Sequence, residues 1–164
     1  SFYPSDDITS SAPSFTQLTT FPFNSAEQIK QLETYDRDSN IIYVLTNQSR
    51  ILRSNDKGST WVSLNKNLPN NTIIKFLLNQ KVTDSSMYAC TAFGVFYRNR
   101  IIGNWVSFAQ GLPTTAQISD MEIMSAGTTK SRLHISTYGR GIWQTALYKL
   151  TTTAPLAAFV IQPS

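Results

Sequence analysis

Residues that commonly form reactive centres are scarce in this sequence. The chain has one cysteine and one histidine among 164 residues. A single cysteine excludes an internal disulfide, and the sequence shows neither a cluster with metal-ligand spacing nor a glycine-rich phosphate loop. Cys90 and His134 are each expected to pack as ordinary side chains. We therefore predict no metal site and no cofactor.

Long hydrophobic runs are missing as well. Ile73-Ile74 and Phe76-Leu77-Leu78 are typical of the longest, whereas roughly 20 apolar residues are needed to cross a bilayer as a helix. No membrane span is predicted. The opening residues, Ser1-Phe2-Tyr3-Pro4, lack the basic start and apolar run of a secretory signal, as a mature or truncated product would.

Charge is sparse and evenly spread. Charged residues make up 15% of the chain, and the formal net charge is +4. The basic residues are scattered over the repeats described below, and no helix or ribbon collects them. Nucleic acid is therefore not an expected partner. Apolar residues, at 41%, suffice for a core, and 12% aromatics favour a β-rich fold.

The most informative feature is a repeat of about 45 residues. One set of stretches recurs around an aromatic residue: Phe15–Leu18, Trp61–Leu64 and Trp105–Phe108. A second set recurs with nearly the same step: Ile42–Thr46, Met87–Thr91 and Leu133–Thr137. A fixed period built from short alternating runs is typical of small β-sheets arranged in a stack or a ring.

Each repeat predicts four short strands, a to d, separated by turn residues. Strand b is the second set above, and strand d contains Trp61 or Trp105. The a strands are placed at 29–35, 72–78 and 118–124, and the c strands at 50–54, 94–98 and 141–145. The fold class predicted is all-β, with about three four-stranded antiparallel sheets as blades of a β-propeller.

The strand order runs d-abcd-abcd-abc, which leaves the ring incomplete. Propellers usually have four to eight blades. Residues 1–148 are therefore predicted to be the C-terminal part of a larger propeller, whose N-terminus would supply the outer strand of the last blade. Several copies or a partner chain could complete the ring instead. Residues 149–154 are interpreted as a Thr-rich linker and 155–164 as the start of a further β domain.

One turn carries a specific motif, Ser54-x-Asp56-x-Gly58-x-Thr60-Trp61. Asp56 is expected to accept hydrogen bonds from backbone N–H groups of the turn. Gly58 supplies a positive φ, and Trp61 covers the junction with a neighbouring sheet. These roles are structural.

The motif resembles the Asp-box, or BNR repeat, of sialidase-like propellers. In those families the box lies away from the catalytic centre. Only Trp105 of the box survives in the second repeat. Two stretches, 91–97 and 137–143, resemble the last two blades of large secreted bacterial proteins, and the tail from Pro155 resembles the start of a PKD-type immunoglobulin-like domain. The resemblance implies a secreted or cell-surface protein.

The box-free end of the blades is the candidate binding face. In the resembling enzymes this end carries the active site. Here it is expected to present Phe93, Tyr138 and Arg140, together with loop amides that include Asn67. Aromatic rings, a guanidinium and amides suit a sugar or an extended polypeptide. Glycan or extracellular protein is the predicted partner, beside the rest of the propeller.

Catalysis is a separate question, because glycoside hydrolysis usually needs two carboxyl groups. Asp120 and Glu122 share a face of one strand and are the only weak candidates for such a pair. The arginine triad and Tyr–Glu pair of sialidases cannot be located. We therefore expect a non-catalytic binding or scaffolding module. The alternative is the C-terminal part of a glycoside hydrolase of the sialidase or xyloglucanase type, with most catalytic residues outside this chain.

Overall fold

The computed structural model describes residues 17–35, 37–70, 72–79, 86–92, 94–115, 117–124, 131–148 and 160–161. Regular structure in these ranges is entirely β. Twelve strands form three four-stranded antiparallel sheets. The all-β prediction and the blade-like sheets are confirmed. Among the described residues, no helix is long and apolar enough to cross a membrane.

Chain order and spatial order coincide in every sheet. Sheet 1 contains β1 (Ile29–Tyr35), β2 (Asp38–Thr46), β3 (Ile51–Ser54) and β4 (Val62–Ser63). Sheet 2 contains β5 (Ile74–Asn79), β6 (Met87–Thr91), β7 (Val95–Arg98) and β8 (Val106–Ser107). Sheet 3 contains β9 (Ile118–Met124), β10 (Arg132–Thr137), β11 (Gly141–Ala146) and β12 (Val160–Ile161).

The pairing register repeats from sheet to sheet. The inner strands begin with Ile29↔Thr46, Ile74↔Thr91 and Ile118↔Thr137, and a register shift follows in all three. Positions can therefore be matched between sheets without ambiguity. Leu32, Leu77 and Met121 are equivalent, because they pair with Val44, Ala89 and Ile135.

Two hydrophobic cores lie between successive sheets. Alternate residues of a strand point to opposite faces, so β2 turns Tyr43 and Leu45 toward sheet 2, where they meet Leu77 and Met87. The second core joins sheet 2 to sheet 3 and includes Tyr88, Cys90, Leu133 and Ile135. Cys90 is fully buried there, and burial raises the pKa of its thiol to about 12. It packs as a small apolar residue.

The two outer faces of the stack differ. The face of sheet 1 turned away from sheet 2, which we call the leading face, carries Leu32, Ile42, Val44 and Leu52. Val44 and Leu52 are buried on this face, in a small cluster that also contains Phe21 and Trp61. The face of sheet 3 turned away from sheet 2, the trailing face, is mixed: a polar row of Glu122, His134 and Gln144 crosses it, and the exposed Met124 and Ile142 lie on either side of that row.

The third sheet has an outer strand that the sequence did not reveal. Val160 and Ile161 pair with Gln144 and Trp143, in the register that Val62-Ser63 and Val106-Ser107 adopt in the other sheets. Without β12, the edge of β11 would leave its backbone N–H and C=O groups unpaired. β12 pairs with two residues of that edge. Residues 149–159 and 162–164 lie outside the described residues. The linker and the further domain stay predictions.

Candidate functional site

Loops meet at opposite ends of the sheets according to their place in the repeat. At one end, Lys57 of the box turn donates its backbone N–H to the carbonyl of Asn40, 3.0 Å away. At the other end, Tyr138 N–H donates to Gln117 O and Ile118 N–H donates to Ala92 O, both at 2.9 Å. These contacts separate a box end from a box-free end.

The box turn is closed by its own side chains. Ser54 Oγ accepts the N–H of Gly58 at 2.7 Å and donates to Asp56 Oδ1 at 2.7 Å. The carboxylate of Asp56 accepts the Thr60 N–H at 2.8 Å and the Thr60 hydroxyl at 2.6 Å. Gly58 has a φ of +90°, and an added Cβ would lie 2.8 Å from Leu18 Cδ1. The box residues hold the turn.

These hydrogen bonds also set the charge state of the turn. The Thr60 hydroxyl, the Thr60 N–H and the Ser54 hydroxyl lower the pKa of Asp56 to about 2. Each of them is a donor, and donors favour the ionised carboxylate. The carboxylate is thus fully committed to the turn, which agrees with a structural role.

Acid should therefore loosen the box turn. A depressed folded-state pKa stabilises the fold above the ordinary pKa of an aspartate, and that contribution is lost as the pH falls through the folded value. We expect the Tm of the wild-type chain to fall more steeply between about pH 4 and pH 2 than that of Asp56→Asn, which cannot titrate. Differential scanning calorimetry over this range measures the difference, and parallel curves would contradict it.

The second repeat closes the equivalent turn in another way. Arg98 stands at the position of Ser54 and is buried, and burial lowers the pKa of its guanidinium. Its Nη2 donates to Gly103 O at 3.3 Å, and its guanidinium lies 5.6 Å from the centroid of the Trp105 ring. Asn99 accepts the Ile102 N–H at 2.7 Å and replaces the box serine as turn acceptor.

The box-free end presents two of the three predicted binding residues. Tyr138 is 66% exposed and Arg140 is exposed. Phe93 lies outside the described residues. The turn that carries Tyr138 and Arg140 has Gly139 at φ +70° and Gly141 at φ +81°, which a side chain would disfavour. The glycines let the chain reverse and leave both side chains in solvent.

A lysine from the neighbouring sheet lies beside this turn. Lys75 Nζ is 6.0 Å from the centroid of the Tyr138 ring and donates to Ile118 O at 2.9 Å. Arg140 contributes its carbonyl oxygen to Trp143 Nε1 at 3.2 Å. Its guanidinium forms no hydrogen bond or ion pair with the part of the chain that the structure describes. One aromatic face and two cations are thus grouped at this end.

Asn67, predicted among the amides available to a ligand, has a structural role instead. Its Nδ2 donates to Trp105 O and its Oδ1 accepts the Trp105 N–H, both at 2.8 Å. Trp105 Nε1 donates to Leu64 O at 2.7 Å. The loop after β4 therefore clamps the start of β8. The equivalent position in the next repeat is Gly111, so the repeat gave no signal for the clamp.

The two carboxylates lie on the trailing face. Asp120 and Glu122 are both exposed, with Glu122 opposite His134 on β10. Asp120 Oδ1 accepts the N–H of Met121 at 2.8 Å. A general acid usually stands in an enclosed apolar site, whereas both of these side chains are exposed. No group of three His, Cys, Asp or Glu residues suited to a metal occurs within the described ranges.

A buried ion pair at the box-free end escaped the sequence analysis. Glu27 Oε2 lies 2.5 Å from Arg50 Nη1. Burial raises the pKa of Glu27, but hydrogen bonds from the Asn24 N–H and the Thr46 hydroxyl, together with Arg50, outweigh it and hold the pKa below the ordinary value. The pair fastens the segment before β1 to the turn after β2, 23 residues apart. No local pattern predicts such a distant partner.

A scan against protein-family models found no matching family, and a search of curated proteins found no similar chain. The resemblance to Asp-box propellers therefore rests on the box turn and on the repeat itself. Function has to be argued from the geometry of the box-free end.

Proposed function

We propose that this chain is a non-catalytic binding module, a section of a larger extracellular propeller that holds a glycan or an extended polypeptide at its box-free end. The observation that carries the proposal is the exposed turn with Tyr138 and Arg140 beside Lys75. The extracellular location and the larger ring are parts of the proposal that rest on the resemblance to Asp-box propellers.

The chemistry of this turn suits a polar ligand with apolar faces. The ring of Tyr138 offers a flat surface for the C–H face of a sugar or for a peptide side chain, and its hydroxyl offers a hydrogen bond. The guanidinium of Arg140 can bind a carboxylate through two parallel hydrogen bonds. Lys75 adds a second positive charge at the same place. An acidic sugar would use all three groups.

The turn is held without help from those side chains. Thr137 Oγ1 donates to Gly141 O, and the Tyr138 N–H donates to Gln117 O, each at 2.9 Å. A backbone fixed in this way loses little conformational entropy when a ligand binds. Loops on a rigid sheet are where binding residues usually lie. The side chains are therefore free to serve recognition.

Removing both side chains should abolish binding and leave the fold intact. For the double variant Tyr138→Ala with Arg140→Ala, we expect an unchanged Tm, because both side chains are exposed. Isothermal titration with a panel of acidic and neutral oligosaccharides, and with extended peptides, measures the loss. Arg37→Ala is the matched control, since Arg37 is also exposed but follows β1 at the box end. A large fall in Tm with binding retained would overturn the proposal.

The absence of catalysis is tested with the two carboxylates. We expect no release of nitrophenol when the chain is incubated with aryl glycosides, because Asp120 and Glu122 lack the enclosed surroundings of a general acid. Asp120→Asn and Glu122→Gln should then equal the wild-type chain in ligand affinity. Hydrolysis that disappears in either variant would establish the glycosidase alternative.

A further inference from the structure

Two lysines occupy the same place in successive sheets at the box-free end. Lys30 and Lys75 are each the second residue of an inner strand. Each donates from Nζ to the first carbonyl of the next inner strand, Ile74 O at 3.3 Å and Ile118 O at 2.9 Å. An ammonium group has three donors, so each lysine keeps two for another partner. The fold thus sets side by side two cations that lie one repeat apart in the sequence.

A third cation continues this row on sheet 3. Ser119 stands at the lysine position there, so the inner strand itself adds no charge. The turn after β10 supplies Arg140 instead, and the hydrogen bond from the Tyr138 N–H to Gln117 O holds that turn against the start of β9. The Tyr138 ring lies 6.0 Å from Lys75 Nζ and links the two cations. The row, which we call the cationic row, consists of Lys30, Lys75, Tyr138 and Arg140.

The cationic row meets little opposing charge. None of its three cations forms an ion pair with a residue in the described ranges. Glu27, in the segment before β1, is buried and already held by Arg50. Asp120 lies on the trailing face of sheet 3. At the box end, by contrast, the exposed Arg37 and Lys57 each stand next to an aspartate in the chain. The row is therefore open to a ligand that carries several negative charges.

The backbone around the row leaves little for a polypeptide to pair with. The Asn47 N–H donates to Gln28 O, and the Gln28 N–H donates to the Asn47 side chain, both at 2.9 Å. The Ile118 N–H donates to Ala92 O at 2.9 Å. Extended peptides gain affinity from main-chain hydrogen bonds to an open strand edge, and these donors are already used. Acidic sugars fit better, because their carboxylates meet the cations and a sugar ring can stack on Tyr138.

We propose that the cationic row binds a linear polysaccharide of uronic acid units, with its carboxylates distributed over the three sheets. Arg140 holds one carboxylate through two hydrogen bonds, and Lys75 and Lys30 hold others further along the chain. The inference rests on the proposed function and names its ligand, a chain of acidic sugars. Affinity then grows with the length of the chain, because each additional contact forms within a complex that already exists.

Galacturonic acid and its linear hexamer are the probes, with a neutral galactan hexamer and poly-glutamate for comparison. Titration of the full chain by calorimetry and NMR measures each affinity. We expect the uronate hexamer to bind at least about tenfold more tightly than the single sugar, since several contacts act together. The neutral hexamer should bind more weakly than the uronate hexamer. Added salt should weaken the uronate hexamer, because it screens exposed charges.

Lys30 separates this inference from the proposed function, because it lies on sheet 1, whereas Tyr138 and Arg140 lie on sheet 3. For Lys30→Gln we expect the affinity for the uronate hexamer to fall by about threefold to fivefold, the upper range for one exposed charge pair. The affinity for the single sugar should not change. Lys30→Arg keeps the charge and should restore binding of the hexamer. Lys57→Gln is the matched control, since Lys57 is an exposed lysine at the box end.

Equal affinities of Lys30→Gln and Lys57→Gln for the uronate hexamer would overturn the inference, and so would equal binding of the neutral hexamer. Poly-glutamate that binds as tightly as the uronate hexamer would assign the row to acidic polypeptides and overturn it as well. If the uronates fail while another glycan binds and is lost in Tyr138→Ala with Arg140→Ala, the inference is wrong and the proposed function stands. Failure of every ligand in the panel would overturn both.

Discussion

Trp105→Ala is expected to lower the free energy of unfolding by about 3–5 kcal/mol, the range for removing a buried tryptophan. The indole is 3% exposed, donates to Leu64 O at 2.7 Å and packs in the core between sheets 1 and 2. Its loss leaves a cavity there and removes the ring that faces the Arg98 guanidinium. Since the free energy of unfolding of a whole domain is only about 5–15 kcal/mol, the variant should be close to unfolded at 37 °C.

Urea denaturation followed by far-UV circular dichroism measures the loss. Trp61→Ala is the matched control, because Trp61 has the same place in its repeat but is half-buried and has no indole acceptor among the described residues. Trp61→Ala should lower the free energy of unfolding by clearly less than Trp105→Ala does. Equal losses would mean that the hydrogen bond from the Trp105 indole to Leu64 O and the burial of that ring add nothing to the position.

Leu77→Ala should be the second most damaging change, at about 2–5 kcal/mol. Leu77 has no exposed surface, and its backbone is tied to Gln31 of sheet 1 through 2.6 and 2.9 Å hydrogen bonds that hold the two inner strands together. The substitution opens a cavity between the two inner strands. The Gln31 hydrogen bonds keep the strands at their distance, so the cavity cannot close. Leu32→Ala, at the equivalent exposed position, should change the free energy of unfolding by only about 0.5 kcal/mol.

Thermal unfolding of the two leucine variants, side by side, gives the comparison. Equal losses for Leu32→Ala and Leu77→Ala would contradict the exposure of Leu32. The two leucine variants therefore test both the size of the expected losses and the difference in exposure between Leu32 and Leu77.

Much of the fold follows from the repeat. Period and alternation place the inner strands of sheets 1 and 3 at 29–35 and 118–124, as observed, because a two-residue alternation flips with any slip in register. The strand of sheet 2 lies two residues later at its start than predicted, at Ile74–Asn79. Local pattern fixes the boundaries of strands only to within a residue or two.

Other features depend on distant neighbours and have no local signal. Trp61 and Trp105 occupy the same place in their repeats, yet only Trp105 is buried, because sheet 1 covers Trp105 and the described residues contain no sheet that precedes Trp61. The Asn67 clamp and the Glu27–Arg50 pair likewise join residues far apart in the chain. At the candidate site, Tyr138 and Arg140 were predicted from their turn. The approach of Lys75 to that ring depends on how sheets 2 and 3 pack.

Among the described residues, the middle sheet is the one of the three that packs against another sheet on both faces. Four consecutive residues of its β6, from Met87 to Cys90, have no exposed surface. In a stack whose members contact only their neighbours, stability is a sum of nearest-neighbour terms. Tension applied to the chain ends would therefore peel sheets 1 and 3 away first, and sheet 2 would be the last to lose its shape. In a longer array of such sheets, only the two end members would keep a single neighbour, so the ends would always be the first part to yield.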